Sequence, residues 1–134
     1  PGDKVKAVVD WYGPTDLLTM PPNVLSEKRT RADLAKANGA LLLGGVVMDQ
    51  PEKAKAVSAL HQVTKDDVPF LIMHGMDDTG VPVDQSARLH AALKAAGVES
   101  TLKLIPGAGH GGKEFDSPES RALIQGFLDK HLQR

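Results

Sequence analysis

Residues 69–73, Pro69-Phe70-Leu71-Ile72-Met73, form an unbroken apolar run that leads directly into His74-Gly75. A short run without polar alternation is stable only where both of its faces are covered, as in a parallel strand lying between helices. Two other short segments share this form. Residues 5–9 (VKAVV) lie between Gly2-Asp3 and Gly13-Pro14, and residues 100–105 (STLKLI) are stopped by Pro106-Gly107. Between the second and third segments, residues 84–96 place Leu89, Ala92, Leu93 and Ala96 at helical spacing, and Gly97 is placed to turn left-handed past the helix end. After the third, Ser117-Pro118-Glu119 supplies an N-cap and a first-turn proline, leading into Leu123, Ile124, Phe127, Leu128 and Leu132 on one face. A shorter helix is predicted over residues 51–60, starting at Pro51 after a cap at Gln50. Residues 19–45 read as an excursion of lid-like or variable character, with one helix over 30–43. The order of elements predicts a three-stranded parallel α/β sheet with flanking helices, within a single domain over residues 1–134.

Composition narrows the function classes. The 134 residues are 41% hydrophobic and 25% charged, the balance of a globular chain. Sixteen basic and seventeen acidic side chains leave a formal net charge of -1, and no segment concentrates one sign, so neither nucleic acid nor a membrane surface is an expected partner. No apolar run is long enough to span a bilayer. The absence of cysteine excludes disulfides, thiolate metal sites and a cysteine nucleophile, and leaves the compartment open. His61, His74, His90 and His131 are scattered without ligand spacing, so no metal and no cofactor is expected.

In open parallel sheets, reactive groups gather in the loops beyond the carboxyl ends of the strands. Here those loops cover residues 10–16, 74–82 and 106–116. The second holds adjacent carboxylates, Asp77 and Asp78. The third holds His110 among Gly107, Gly109, Gly111 and Gly112. A histidine acting as general base needs its far nitrogen bonded to a carboxylate, which fixes the tautomer and stabilises the imidazolium. A competing pattern, G-x-G-x-x-G at Gly107, Gly109 and Gly112, directly follows a strand, but the next helix waits for Ser117-Pro118 and no second strand with an acid follows, so nucleotide binding is not expected.

His74-Gly75-Met76-Asp77-Asp78-Thr79-Gly80-Val81-Pro82 resembles the H-G-x-x-D-x-x-V-P acid loop of α/β-hydrolases, and Pro106-Gly107-Ala108-Gly109-His110-Gly111 resembles their histidine loop. Residues 5–17, with Trp11-Tyr12-Gly13-Pro14-Thr15-Asp16-Leu17, resemble the strand and loop after the nucleophile helix in esterases of the feruloyl esterase and acetyl esterase group. The resemblance implies the C-terminal half of the sheet of an α/β-hydrolase fold. It also implies an esterase or lipase activity on small ester substrates, with Asp78 as triad acid and His110 as base. Trp11, Tyr12 and Val81 are candidates for substrate contact, although an aromatic pair ending a buried strand suits the core better. Asp77 is expected to face solvent, His74 to pack at its strand end and Asp16 to order its own turn.

One part of the pattern is missing. No G-x-S-x-G occurs, and none of Ser26, Ser58, Ser86, Ser100, Ser117 or Ser120 sits on a glycine-flanked strand-to-helix turn. The resemblance places the nucleophilic serine, with the oxyanion-hole loop, upstream of residue 1. The chain alone is then expected to be inactive, and the edge of its first strand is expected to drive self-association or binding of an N-terminal half. A serine peptidase similar to prolyl oligopeptidase and a noncatalytic binding module of the same fold are the alternatives.

Overall fold

The computed structural model describes residues 4–132. They form two compact units, one made of residues up to Gly13 together with Val63 onward, the other of residues 14–62.

The first unit holds the sheet. Strands β1 (Val8–Trp11), β2 (Phe70–Gly75) and β3 (Ser100–Ile105) pair in that order, all parallel, with β2 in the centre. The register sets Val8 opposite Phe70 and Gly75 opposite Ile105. The apolar run behaves as its lack of alternation requires. On one face, Leu71 and Met73 pack with Ile105, Ala108, Phe115 and Phe127. On the other, Ile72 packs with Leu89, Leu93 and Val98. Helix α4 (Asp84–Ala95), which connects β2 to β3, supplies Leu89 and Leu93 to the second cluster. Helix α5 (Pro118–Leu132) supplies Phe127, flanked by Leu123, Ile124 and Leu128, to the first. Ser117 caps α5 as expected, its hydroxyl accepting from the Ser120 N–H at 3.1 Å. Gly97, at φ 82°, ends α4.

The bounds of two strands differ from expectation, and β1 also runs on to Trp11, past the expected end at Val9, because Asp10 and Trp11 pair with Ile72 and Met73. β1 begins at Val8 rather than at Val5 because its partner begins at Phe70. The Val8 N–H donates to the Pro69 carbonyl at 2.9 Å, and nothing on β2 precedes that rung, so Val5 is left 64% exposed. β2 runs past the apolar residues through His74 and Gly75 because β3 continues beside it to Ile105.

The second unit consists of short helices α1 (Arg31–Leu34), α2 (Asn38–Leu43) and α3 (Pro51–Ala56), with 3-10 turns at Pro21–Asn23, Val47–Asp49 and Ala59–His61. The single helix expected over 30–43 is therefore two helices. Thr30 and Asp33 close a capping box on α1, and Ala37 is extended at ψ 150° before the chain restarts at Asn38-Gly39, a pair of weak helix formers. Gly39 is required there, since a Cβ would lie 2.6 Å from the Asn23 amide oxygen. The helix expected over 51–60 stops at Ala56, where the Ser58 hydroxyl turns back onto the Ala54 carbonyl at 2.6 Å and accepts from the Leu17 N–H. Gln50 precedes α3 without a side-chain cap bond. Asp16 orders its turn, accepting from the Leu18 N–H and the Thr19 hydroxyl, and also pairs with His61 at 3.2 Å. Leu43, Val47 and Ala54 form the small core of this unit.

Candidate active site

The ends of β2 and β3 hold the acid loop and the histidine loop against each other. The Met76 N–H donates to the Ile105 carbonyl at 3.0 Å and the Asp77 N–H to the Ala108 carbonyl at 2.9 Å, so the backbones are tied together just before Asp78 and His110. Only glycine fits at the crossing. A Cβ on Gly75 would lie 2.3 Å from the carbonyl oxygens of both Ala108 and Gly109. His110 is the middle residue of a three-residue turn closed by the Gly111 N–H on the Gly109 carbonyl at 3.0 Å. Gly111 and Gly112 follow at φ 101° and 116°, a backbone that side chains rarely adopt. The loop thus presents the imidazole at its apex.

His110 Nδ1 lies 2.8 Å from Asp78 Oδ2. A carboxylate oxygen accepts, so Nδ1 donates, and Nε2 has no hydrogen-bond partner among the described residues. The Asp78 side chain is fully buried and that of His110 is half exposed. Asp78 Oδ1 accepts from the N–H groups of Gly80 and Val81, each at 2.8 Å. His74, fully buried at the end of β2, places Nε2 3.2 Å from Asp78 Oδ2 and 2.9 Å from the Val81 carbonyl, while its Nδ1 meets the Ser86 hydroxyl of α4 at 2.6 Å. Nothing in the sequence pointed to this His74–Ser86 tie.

Burial alone would push the Asp78 carboxyl up. The Val81 N–H, the His110 ring and the Gly80 N–H together outweigh it and hold Asp78 below the usual carboxylate range. The unfolded chain therefore binds the extra proton first. The stabilisation from Asp78 is present above the ordinary value near 3.8 and is lost as pH falls through the lowered one, so His110 has an ionised partner at neutral pH.

Asp10 on β1 shows the opposite sign. Burial raises its carboxyl, and the Gly13 N–H and the nearby His74 only partly offset that. Here the folded state holds the extra proton, so the contribution of Asp10 is fully present below its ordinary value and is lost as pH rises through the raised one. Asp10→Asn, which keeps an acceptor for Gly13, is expected to raise the melting temperature at pH 7 by a few degrees. Thermal scans should show the difference closing as pH drops below about 4.

The other sequence candidates fall in different places. Tyr12 packs against His110 with ring centroids 4.4 Å apart and planes tilted by 54°, and Trp11, 42% exposed, lies beside Phe115. Val81 is buried, and both of its backbone groups are engaged in the acid loop. Asp77 is exposed. Phe115, which sequence reasoning left unremarked, supports Tyr12 edge-on at 4.8 Å. Among the described residues no three His, Asp or Glu side chains gather to hold a metal, and no helix is long and apolar enough to cross a membrane.

A parallel sheet with helices on both faces, bearing these loops at its strand ends, is the architecture of esterase-like α/β-hydrolases. Residues 2–93 match the BD-FAE family, and the chain belongs to that family. Esterase LipC of Mycobacterium tuberculosis is 37% identical over 89 residues, covering 63% of this chain and 22% of that protein. An uncharacterized peptidase, YuxL of Bacillus subtilis, is 31% identical over 90 residues, covering 64% of this chain and 14% of its own length. Among solved structures, a truncated form of a carbohydrate esterase from gut microbiota superposes with a TM-score of 0.85 at 31% identity, over 99% of this chain and 45% of its own. The chain thus spans less than a quarter of the length of either curated relative and under half of the esterase structure. These likenesses support a hydrolase function.

Proposed function

We propose that the protein carrying this chain cleaves carboxylic esters through an acyl-enzyme, with Asp78 as triad acid, His110 as base and a serine nucleophile supplied from outside these 134 residues. The observation that carries this proposal is the 2.8 Å contact from His110 Nδ1 to a buried carboxylate, with Nε2 unpartnered on a half-exposed ring. In the first step the serine oxygen attacks the ester carbonyl carbon and His110 Nε2 takes its proton. The tetrahedral intermediate then collapses, and His110 returns that proton to the departing alcohol. Water repeats the sequence on the acyl-enzyme and releases the acid. Asp78 stays ionised throughout and steadies the imidazolium.

The serine-bearing strand has a place to pair. Residues 8, 10 and 12 of the β1 segment turn their backbone groups toward β2, so those of Val9 and Trp11 face outward, with no partner among the described residues. Left uncovered, that edge would favour self-association or capture of the remaining part of the fold. Residues 19–45 would serve as a lid-like or variable insert in the same domain.

The test is to label the full-length protein with a fluorophosphonate and map the modified peptide. The expected result is a single glycine-flanked serine outside this chain, together with hydrolysis of short aryl esters. Modification of a serine within the 134 residues, or no labelling of an esterolytic protein, would overturn the assignment. The likeness to YuxL favours a second reading, a serine peptidase using the same acid and base. Faster turnover of aminoacyl anilides than of aryl esters would select it. An unlabelled protein without either activity would point to a noncatalytic binding module.

A further inference from the structure

Tyr12 is the one non-glycine residue among those described with a left-handed backbone, at φ 46°. For an aromatic residue that conformation is strained, and such strain persists only where the surroundings hold it. Gly13 follows immediately, so a glycine was available one position on. The left-handed turn falls instead on the tyrosine, just where the chain leaves β1 and its N–H still donates to the Met73 carbonyl at 2.9 Å.

The turn delivers the ring onto the histidine loop. The Tyr12 and His110 centroids are 4.4 Å apart with planes tilted by 54°, and Phe115, itself 3% exposed, meets the other side of Tyr12 at 4.8 Å and 90°. Gly111 completes the enclosure, since a Cβ there would lie 3.4 Å from the Tyr12 hydroxyl. The imidazole is therefore held in two directions: Asp78 fixes one edge through Nδ1, and the tilted Tyr12 ring packs against it. A hydrogen bond at one edge still leaves the ring able to swing about that bond, and a second ring packed against it restricts the swing. No hydrogen bond to the Tyr12 hydroxyl is needed for this.

We propose that Tyr12 is a positioning residue for His110: its strained backbone sets an aromatic wall, braced by Phe115, that restricts the imidazole to the orientation in which Nε2 meets the nucleophile. The proposal rests on the assignment of His110 as the base. It differs from the expectation that Tyr12 contacts substrate, because the ring is already engaged by His110, Phe115 and Gly111.

The test uses the full-length protein and aryl esters graded in acyl size. Tyr12→Leu is expected to lower kcat about ten- to a hundredfold by the same factor across the series, with KM within about twofold of wild type. Tyr12→Phe is expected to recover most of the rate, because the ring and not the hydroxyl does the positioning. Should Tyr12→Leu fail to fold, Phe115→Leu removes the brace and is expected to lower kcat in the same size-independent way by a smaller factor. A KM that rises with acyl size while kcat holds would make Tyr12 a substrate contact and overturn the proposal, as would undiminished kcat in both leucine variants. His110→Ala run alongside separates the two levels. If that variant keeps full activity, the assignment of the base has failed; if it is inactive while Tyr12→Leu is unimpaired, only the role of Tyr12 has failed.

Discussion

His110→Ala in the full-length protein is expected to lower kcat/KM for aryl esters by about three to four orders of magnitude, with the fold intact. The size of the loss follows from the chemistry: without a base the serine hydroxyl is a weak nucleophile, and only positioning and carbonyl polarisation remain. The fold survives because the ring is half exposed and Asp78 retains its bonds to Gly80, Val81 and His74. Asp78→Asn should cost about as much by a different route. The new amide can present its oxygen to Gly80 and Val81, but its NH₂ then faces His110 Nδ1 and His74 Nε2, where an acceptor is needed. His110 is driven to the wrong tautomer, and the buried donor of His74 loses a partner, so a loss of about 1–3 kcal/mol in stability should accompany the loss of rate. Steady-state kinetics beside urea unfolding separates the two effects. Full turnover in either variant would remove both residues from the mechanism.

Gly75→Ala is expected to be the most damaging single methyl group in the unit that carries the sheet. The added Cβ would sit 2.3 Å from two backbone oxygens, which cannot rotate away as a side chain would. Relief requires β2 and the loop before His110 to separate, breaking the bonds from Met76 to Ile105 and from Asp77 to Ala108. A cost of about 2–4 kcal/mol and a further ten- to hundredfold fall in kcat are expected. Gly126→Ala is the contrast. That glycine is exposed inside α5 with nothing within 4 Å of a Cβ, so the same change should stabilise by roughly 0.5–1 kcal/mol. Equal effects at the two positions would show that close approach at Gly75 is not what the glycine serves.

The legible parts of this chain are those whose signals are local. β3, α4 and α5 follow from runs, caps and terminal glycines within a dozen residues, and lie where the pattern predicts. The meeting of Asp78 with His110 follows from one more step, that adjacent parallel strands bring their following loops together. What stayed hidden depends on partners distant in sequence. The start of β1 is set by where β2 begins, some sixty residues later. The break at Ala37 answers to a capping box and to the packing of Gly39 on Asn23. Contact between His74 and Ser86 needs the register of α4 on the sheet. A left-handed tyrosine has no sequence signature, because the pattern that announces positive φ is glycine or asparagine.

The arrangement of donors around Asp78 bears on how such a chain can change over generations. Three of its four donors belong to its own loop and strand, and only one belongs to the histidine loop. The carboxylate is therefore expected to keep its place when the His110 ring alone is lost, as long as the backbone ties between the two loops remain. With Asp78 as the proposed acid, loss of the histidine by one substitution is then expected to remove activity while leaving a well-folded scaffold in which the acid is still in place.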